Sequence, residues 1–372
     1  MNEIVYRLIK HPCINILIFC TVIIFPARAQ NFDCGTPSPK IPIHPDSTFA
    51  RSLRITATYP LLMKVYVHVF ADDDGSNVAA GDSSVMRQME NMRNFYAAHG
   101  ICFILVGYDI INSSDLNNHN TDSEGSELNN FLVSGMLNVF VHAALVSNDG
   151  SLNGSAYAIP NYYLSIWRGA ITSTTNLSTL AHEMGHDFGL YHTFQSRYDD
   201  VNNVTVRENV TRLGSCKNCE TEGDLICDTQ ADRNISDVQV SSINCTYTGT
   251  EKDDCNVTLP MAPTNIMTYG RRACRSLFTN GQGNRAEDFI LTTSFLTNAI
   301  APETIIISGS ITISSGRRNF VARNSIGVAA PISISGTAVA NFASNSITIP
   351  PGVTFSPSGN GYTAVRTNVL CQ

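Results

Sequence analysis

The eleven residues from His182 to His192, HEMGHDFGLYH, constrain this chain more than any other feature. His182 and His186 are four apart, so on a helix they share one face. Glu183 is one step round and can reach a water on a metal without being a ligand. Glycine accepts the left-handed turn that closes a helix, so Gly189 ends it and the chain can swing back to offer His192. Three neutral imidazoles hold one zinc ion and leave a fourth position for water, which is the catalytic rather than the structural arrangement. The short form, His-Glu-x-x-His, also arises in helices that merely carry two surface histidines. The long form adds Gly189 and His192 at fixed offsets, which makes coincidence the weaker reading.

A second signal lies downstream, at Asn265-Ile-Met267-Thr-Tyr269. Taken alone it is an ordinary pair of core residues; after a zinc helix it gains meaning. The long histidine pattern followed by this turn resembles the metzincins. The run His192-Thr193-Phe194, then Gly223-Asp224-x-x-Cys227-Asp228-Thr229, then Asn265 to Tyr269, Cys274 and Phe278-Thr279-x-x-Gln282, is similar to the pappalysin family, and within it to bacterial cytophagalysin and ulilysin-like members. The resemblance covers roughly residues 55–298. It departs where the family has Asp-Thr-Pro and this chain has Asp228-Thr229-Gln230. It implies Met267 as an apolar floor under the imidazoles and Tyr269 as a group beside the metal. It also implies calcium near Asp224, Asp228 and Thr229, where solvated acidic turns are the plain alternative.

Composition sets the class of protein. The formal net charge is -7, and no basic stripe is interleaved with aromatics, so neither nucleic acid nor anionic lipid is an expected partner. Residues 1–29 read as an export signal: Arg7 and Lys10, then the apolar run Cys13 to Phe25, then Ala27-Arg28-Ala29 as the cleavage site. An apolar run this short argues against a stable membrane anchor. The chain has eleven cysteines; without Cys13 and Cys20 nine are left, six of them between 216 and 274. An exported chain with that density is expected to hold disulfides. The pairing cannot be read, and Cys216-x-x-Cys219 leaves a second zinc site as the alternative.

Four regions follow: the signal at 1–29, a short pro-segment at 30–54, a catalytic domain at 55–300 and an all-β module at 304–372. Asp33-Cys34-Gly35 resembles the cysteine switch of metzincins, with Cys34 as a latency ligand on the zinc. Pairing of Cys34 with a cysteine such as Cys371 is the alternative. Arg51 and Arg54 are the expected cut sites. Strands are expected at 63–70, 101–107, 137–145 and 163–171, with a helix at 83–98 whose Val85, Met89, Met92 and Tyr96 face the core. His68 is expected to be structural. The zinc helix is expected at 175–188, capped by Thr175 or Asn176. Thr279-x-x-Gln282 is a capping box opening a helix to about 298. Residues 154–160 end in proline and read as an edge strand. On the resemblance, Ala156, Tyr157 and Ala158 are the expected backbone contacts for an added substrate strand. The Ile, Ser and Gly runs from 304 resemble a stacked β repeat of secreted bacterial proteins; attachment to a cell surface, contact with polysaccharide and plain stability are all open roles for it.

The fold expected is therefore α+β: a twisted five-stranded mixed sheet with helices, a zinc helix, a long disulfide-bonded loop region and a C-terminal helix, followed by a small all-β module. The function expected is that of a secreted zinc endopeptidase acting on proteins or peptides. Glu183 is its general base, with His182, His186 and His192 on the metal and Tyr269 on the oxyanion. The competing reading is a catalytically silent surface adhesion protein that keeps a structural zinc.

Overall fold

The computed structural model describes residues 32–367, apart from Lys40, residues 58–59, residues 196–206 and Ser236. The expected signal segment and Cys371 lie outside the described residues. In chain order the elements are β1 (Phe32–Cys34), α1 (Ser47–Thr56), β2 (Leu61–Ala71), α2 (Asp82–Ala97), β3 (Ile101–Asn112), α3 (Ser114–Asn117), β4 (Asn118–Asn120), α4 (Thr121–Glu124), β5 (Leu137–His142), β6 (Ala144–Ser147), β7 (Gly150–Ala156), β8 (Tyr163–Trp167), α5 (Arg168–Thr172), α6 (Thr179–Asp187), α7 (Asn280–Thr292) and α8 (Ser294–Ala299). Nine short strands follow, from β9 (Thr304–Ile307) to β17 (Tyr362–Arg366).

The sheet order is β3-β2-β5-β8-β7-β6-β4, with β1 added to β7. The expected five-stranded mixed sheet is its central part, β3-β2-β5-β8-β7. Pairing is parallel from β3 through β8, and β7 runs antiparallel to β8. Strand β2 sits inside this sheet; Leu61, Met63, Val65, Val67 and Val69 form one wholly apolar buried face, and the other mixes Leu62 and Phe70 with Lys64, Tyr66 and His68. Its one buried imidazole, His68, is fixed by Asp109 at 2.9 Å and Asn138 at 3.2 Å, a structural role as expected. Helix α2 buries Val85, Met89, Met92 and Tyr96 in the same core as α6 and α7.

Several element boundaries differ from expectation: β3 runs on to Asn112, the strand expected at 137–145 stops at His142 with β6 following, and the edge strand expected at 154–160 lies at Gly150–Ala156. Three further differences have a local reason. The strand expected at 163–171 stops at Trp167, because the Arg168 guanidinium donates to the carbonyls of Asn77, Val78 and Ala79 and draws the chain into α5. The zinc helix starts at Thr179 rather than 175. Asn176 accepts from the Thr179 N–H and hydroxyl, while Gln88 holds the Asn176 carbonyl, so the residues before Thr179 stay in turns. The helix from the Thr279–Gln282 capping box forms as expected but breaks at Thr293, which is extended. Thr292, Thr293 and Ser294 are weak helix formers whose hydroxyls compete for backbone groups.

From β9 onward the chain winds three times, and corresponding strands stack in three parallel sheets: β9-β12-β15, β10-β13-β16 and β11-β14-β17. Its core holds Ile307, Ile313, Phe320, Ile326, Ile332 and Phe342. Side chains repeat up the stack, with Phe320 on Phe342 at 4.9 Å and Asn341 donating to Asn319 at 2.7 Å. A third apolar cluster joins this module to the sheet, with Leu62, Ile104 and Val106 against Val321 and Ala343.

Candidate metal centre

Helix α6 is buried along its whole length, between β7, β8 and α2. Position Gly189 takes φ +82, the left-handed turn that ends it, and a Cβ there would collide with the Phe289 ring. The chain then returns through Leu190 and Tyr191 to His192. Two carbonyls orient the helical histidines: His182 Nδ1 donates to Ile266 O at 2.7 Å and His186 Nδ1 to Leu190 O at 2.8 Å. Donation from Nδ1 leaves Nε2 as the ligand atom of each neutral ring. The His186 and His192 Nε2 atoms lie 3.2 Å apart, so one proton or one cation must sit between them. Burial lowers the pKa of His186 to about 4. Burial first, then His186, His182 and Arg275, holds His192 well below its usual value. Both imidazoles are neutral at neutral pH, as metal ligands must be. One ligand atom each from Cys34, His182, His186 and His192 lies within 4.8 Å of the others. This donor set fits zinc.

Residues after the loop region brace the site. Met267 packs its sulfur against Gly185 on α6, and its carbonyl accepts the Thr193 N–H at 3.2 Å. Asn265 and Gln282 exchange side-chain amide hydrogen bonds of 2.8 and 3.1 Å, and Asn265 Oδ1 accepts the Met267 N–H. Buried Asp232 accepts the hydroxyls of Thr193 at 2.6 Å and Thr268 at 2.8 Å, tying the His192 segment to the methionine turn. The Tyr269 ring is 4.8 Å from that of His192, and its hydroxyl donates to the Cys34 carbonyl at 3.1 Å.

Strand β1 lies parallel to β7, with Cys34 opposite Gly154, and Gly35 N–H donates to Gly154 O at 2.9 Å. The expected alternative for Cys34, a disulfide, does not hold, since its thiol is free and buried in the metal cluster. Burial first, and Glu183 second, push that thiol well above its ordinary pKa in the absence of a cation. Cys34 Sγ also donates to Glu183 Oε2 at 3.2 Å. Glu183 itself faces Gly154, where a Cβ would lie 2.6 Å from Glu183 Cγ, so only glycine fits there. The expected cut site Arg54 is engaged in α1, pairing with Glu287 at 3.1 Å and Asp288 at 2.6 Å. Arg51 is exposed on the same helix.

Other expected residues are placed differently. Strand β7 ends at Ala156, so Tyr157 and Ala158 are not edge contacts. The Tyr157 hydroxyl is turned inward, between His119 Nε2 at 2.7 Å and Ser165 Oγ at 2.8 Å, and these polar partners draw it off the sheet edge. Asp224 and Thr229 do meet, at 2.9 Å. Asp228 instead accepts from Thr279 Oγ1 and Gly281 N–H at the start of α7, whose open amide groups attract a carboxylate. Burial raises the Asp224 carboxyl to about 7, with Asp228 adding to it, and burial followed by the charge of Asp224 raises Glu208 to about 9. Cys216 pairs with Cys255, Cys219 with Cys227 and Cys245 with Cys274, which removes the alternative of a second zinc site at Cys216 and Cys219. Arg275 is buried and donates to Gly270 O, so it is a structural residue of that turn.

Three residues at the site were not expected. Thr36 accepts the Ala156 N–H at 2.8 Å and bonds Glu183 Oε2 at 3.1 Å. Asp232 is the second. The third is Asp187, whose buried carboxyl oxygens have no hydrogen-bond partner among the described residues. Contacts that span over a hundred residues leave no local sequence signal for Thr36, but the carboxylate beside His186 in HEMGHD was visible.

Residues 61–239 match the model of metallo-peptidase family M12, Reprolysin_5. An extracellular metalloprotease of Podospora anserina is 28% identical over 312 residues, covering 74% of this chain and 93% of the relative. One of Sordaria macrospora is 25% identical over 279 residues, covering 69% and 87%. Among solved structures, mature mirolysin of Tannerella forsythia in complex with a cleaved peptide aligns at 18% identity and a TM-score of 0.46, covering 66% of this chain and all of that one. The partial family match and the curated relatives support a metalloprotease.

Proposed function

We propose that this chain is a secreted, metzincin-type zinc endopeptidase of the pappalysin kind, made as a latent precursor. The observation that carries this reading is the convergence of His182, His186 and His192 with Glu183 beside them and Cys34 on the open side. Zinc held there supplies Lewis acidity and a water acidified toward neutral pH. The chain's own groups do the rest. The outward edge of β7, with Gly154 O and Ala156 N–H, takes an added peptide strand once β1 has left. Glu183 accepts the proton of the attacking water and hands it to the leaving amine. The Tyr269 hydroxyl, which donates to a carbonyl in the latent form, donates to the developing oxyanion in the active one. Secretion is supported by relatives that are named extracellular and by the disulfides; those curated relatives are fungal, unlike the bacterial members the sequence resembles.

A cavity of about 280 Å3 lies beside Asn153 on β7, lined by Trp167, Thr175, Asp237, Arg271 and Arg272 among others. Arg271 and Arg272 in its wall favour an apolar or acidic substrate side chain over a basic one, although Arg271 also donates to the Val240 and Asp237 carbonyls. Calcium is proposed at Asp224, with Thr229 on its other oxygen and Glu208 within electrostatic reach, because the buried Asp224 Oδ2 has no hydrogen-bond partner among the described residues.

A second reading has one specific observation behind it. Three histidines and a cysteine can also form a closed structural zinc site, as in an adhesion protein. Incubating the secreted chain with a denatured protein, with and without a chelator, separates the two. Chelator-sensitive hydrolysis after loss of residues 30–54 supports the peptidase; a trimmed, zinc-loaded chain that cleaves nothing supports the structural site.

A further inference from the structure

We propose that Thr36 is a second latch, acting on the base rather than on the metal, and that its hydroxyl bridges Glu183 and the Ala156 N–H and so blocks both. This rests on the peptidase reading. A threonine hydroxyl has one proton to give and two lone pairs. The Ala156 N–H fills one lone pair at 2.8 Å, and the hydroxyl proton goes to Glu183 Oε2 at 3.1 Å. The Cys34 sulfur lies 3.1 Å away, but its single proton is directed at Glu183 and is lost when the sulfur ligates zinc. Two of the hydroxyl's three capacities are thus used, and Thr36 is buried. The Ala156 N–H points off the free edge of β7, on the same side as Gly154 O, which holds Gly35 N–H. So the pro-segment completes the ladder with a side chain just where its own strand ends at Cys34.

Two consequences follow from the geometry. An oxygen at this position occupies the carboxylate that must take the water's proton and the backbone N–H that an added substrate strand would use. Latency also divides into two parts, since Cys34 covers the metal and Thr36 covers the base. Loss of one leaves the other in place. A hydrogen bond to a carboxylate changes the occupancy of the latched state by about tenfold.

The test uses the full chain, checked by mass to be unprocessed, with the wild type processed in parallel. Cys34→Ala is expected to gain activity yet stay about tenfold or more below the processed enzyme. Cys34→Ala with Thr36→Val is expected to close most of that gap, and Cys34→Ala with Thr36→Ser, which keeps the hydroxyl, to behave as Cys34→Ala alone. A readout independent of turnover uses a labelled peptide of residues 31–46 and processed enzyme stripped of metal. Binding is expected to weaken about tenfold with Thr36→Val and to be kept with Thr36→Ser. The inference is overturned if Cys34→Ala alone reaches the processed rate, or if Thr36→Val changes neither measurement. Should the processed wild type hydrolyse nothing, the peptidase reading itself fails.

Discussion

Glu183 and Asp187 lie one helical turn apart on α6, both buried, and their surroundings assign them opposite work. Glu183 faces the metal ligands and the edge of β7. Asp187 faces the interior, and burial first, then Glu183, push its pKa well above the carboxylate range. Replacing Glu183 with Gln is expected to leave one zinc per chain and to lower turnover about a thousandfold. His182→Ala is expected to lose the zinc itself, and metal analysis beside a peptide assay reads both. For Asp187 the sign follows from linkage: the folded chain keeps a proton that the unfolded chain releases near pH 4, so stability falls as pH rises above that. Asp187→Asn is expected to flatten this slope and to raise the melting temperature at pH 8. A variant less stable than wild type at pH 8 would show that the carboxylate is used. The histidines, Glu183 and Met267 were legible because their chemistry fixes their spacing. Thr36, Asp232 and the Asn265–Gln282 pair were not, because each partners a residue far along the chain.

At the scale of elements, hydrophobic period placed β2, α2, β3 and β5 well. It misplaced boundaries wherever one side chain captured backbone, as Arg168 does at the end of β8 and Asn176 before α6. The loop region between His192 and Asn265 has no period to read. Three disulfides among the described residues hold it, and Glu208 and Asp224 are buried within it. Without a cation both acids hold protons in the fold at pH values where the unfolded chain has lost them, so their contribution falls as pH rises. A bound calcium reverses that cost. A calcium chelator is therefore expected to lower the melting temperature more at pH 8 than at pH 5. An equal effect at both would remove these acids from the site.

Across the whole molecule, the β-module covers apolar side chains that the catalytic part would otherwise expose. Leu62, Ile104 and Val106 pack on Val321 and Ala343. Ending the chain after Pro302 is expected to lower the melting temperature by about 5 °C or more, from a few kcal/mol of lost apolar burial. An unchanged melting temperature would mark the module as an independent appendage. The stacked repeat was visible in the rhythm of its runs; its docking on β3 was not, since Ile104 and Val106 read as plain core residues of a strand.

The proposed latency also belongs to this scale, because Cys34 of the N-terminal segment meets Tyr269 and the three histidines. The most direct measurement is zinc X-ray absorption on the full chain and on the chain freed of residues 30–54. Three nitrogen donors and one sulfur at about 2.3 Å are expected before processing, and three nitrogens with a light fourth donor after it, together with the onset of proteolysis. Sulfur retained in the processed chain, or a first shell without three nitrogens, would contradict the account.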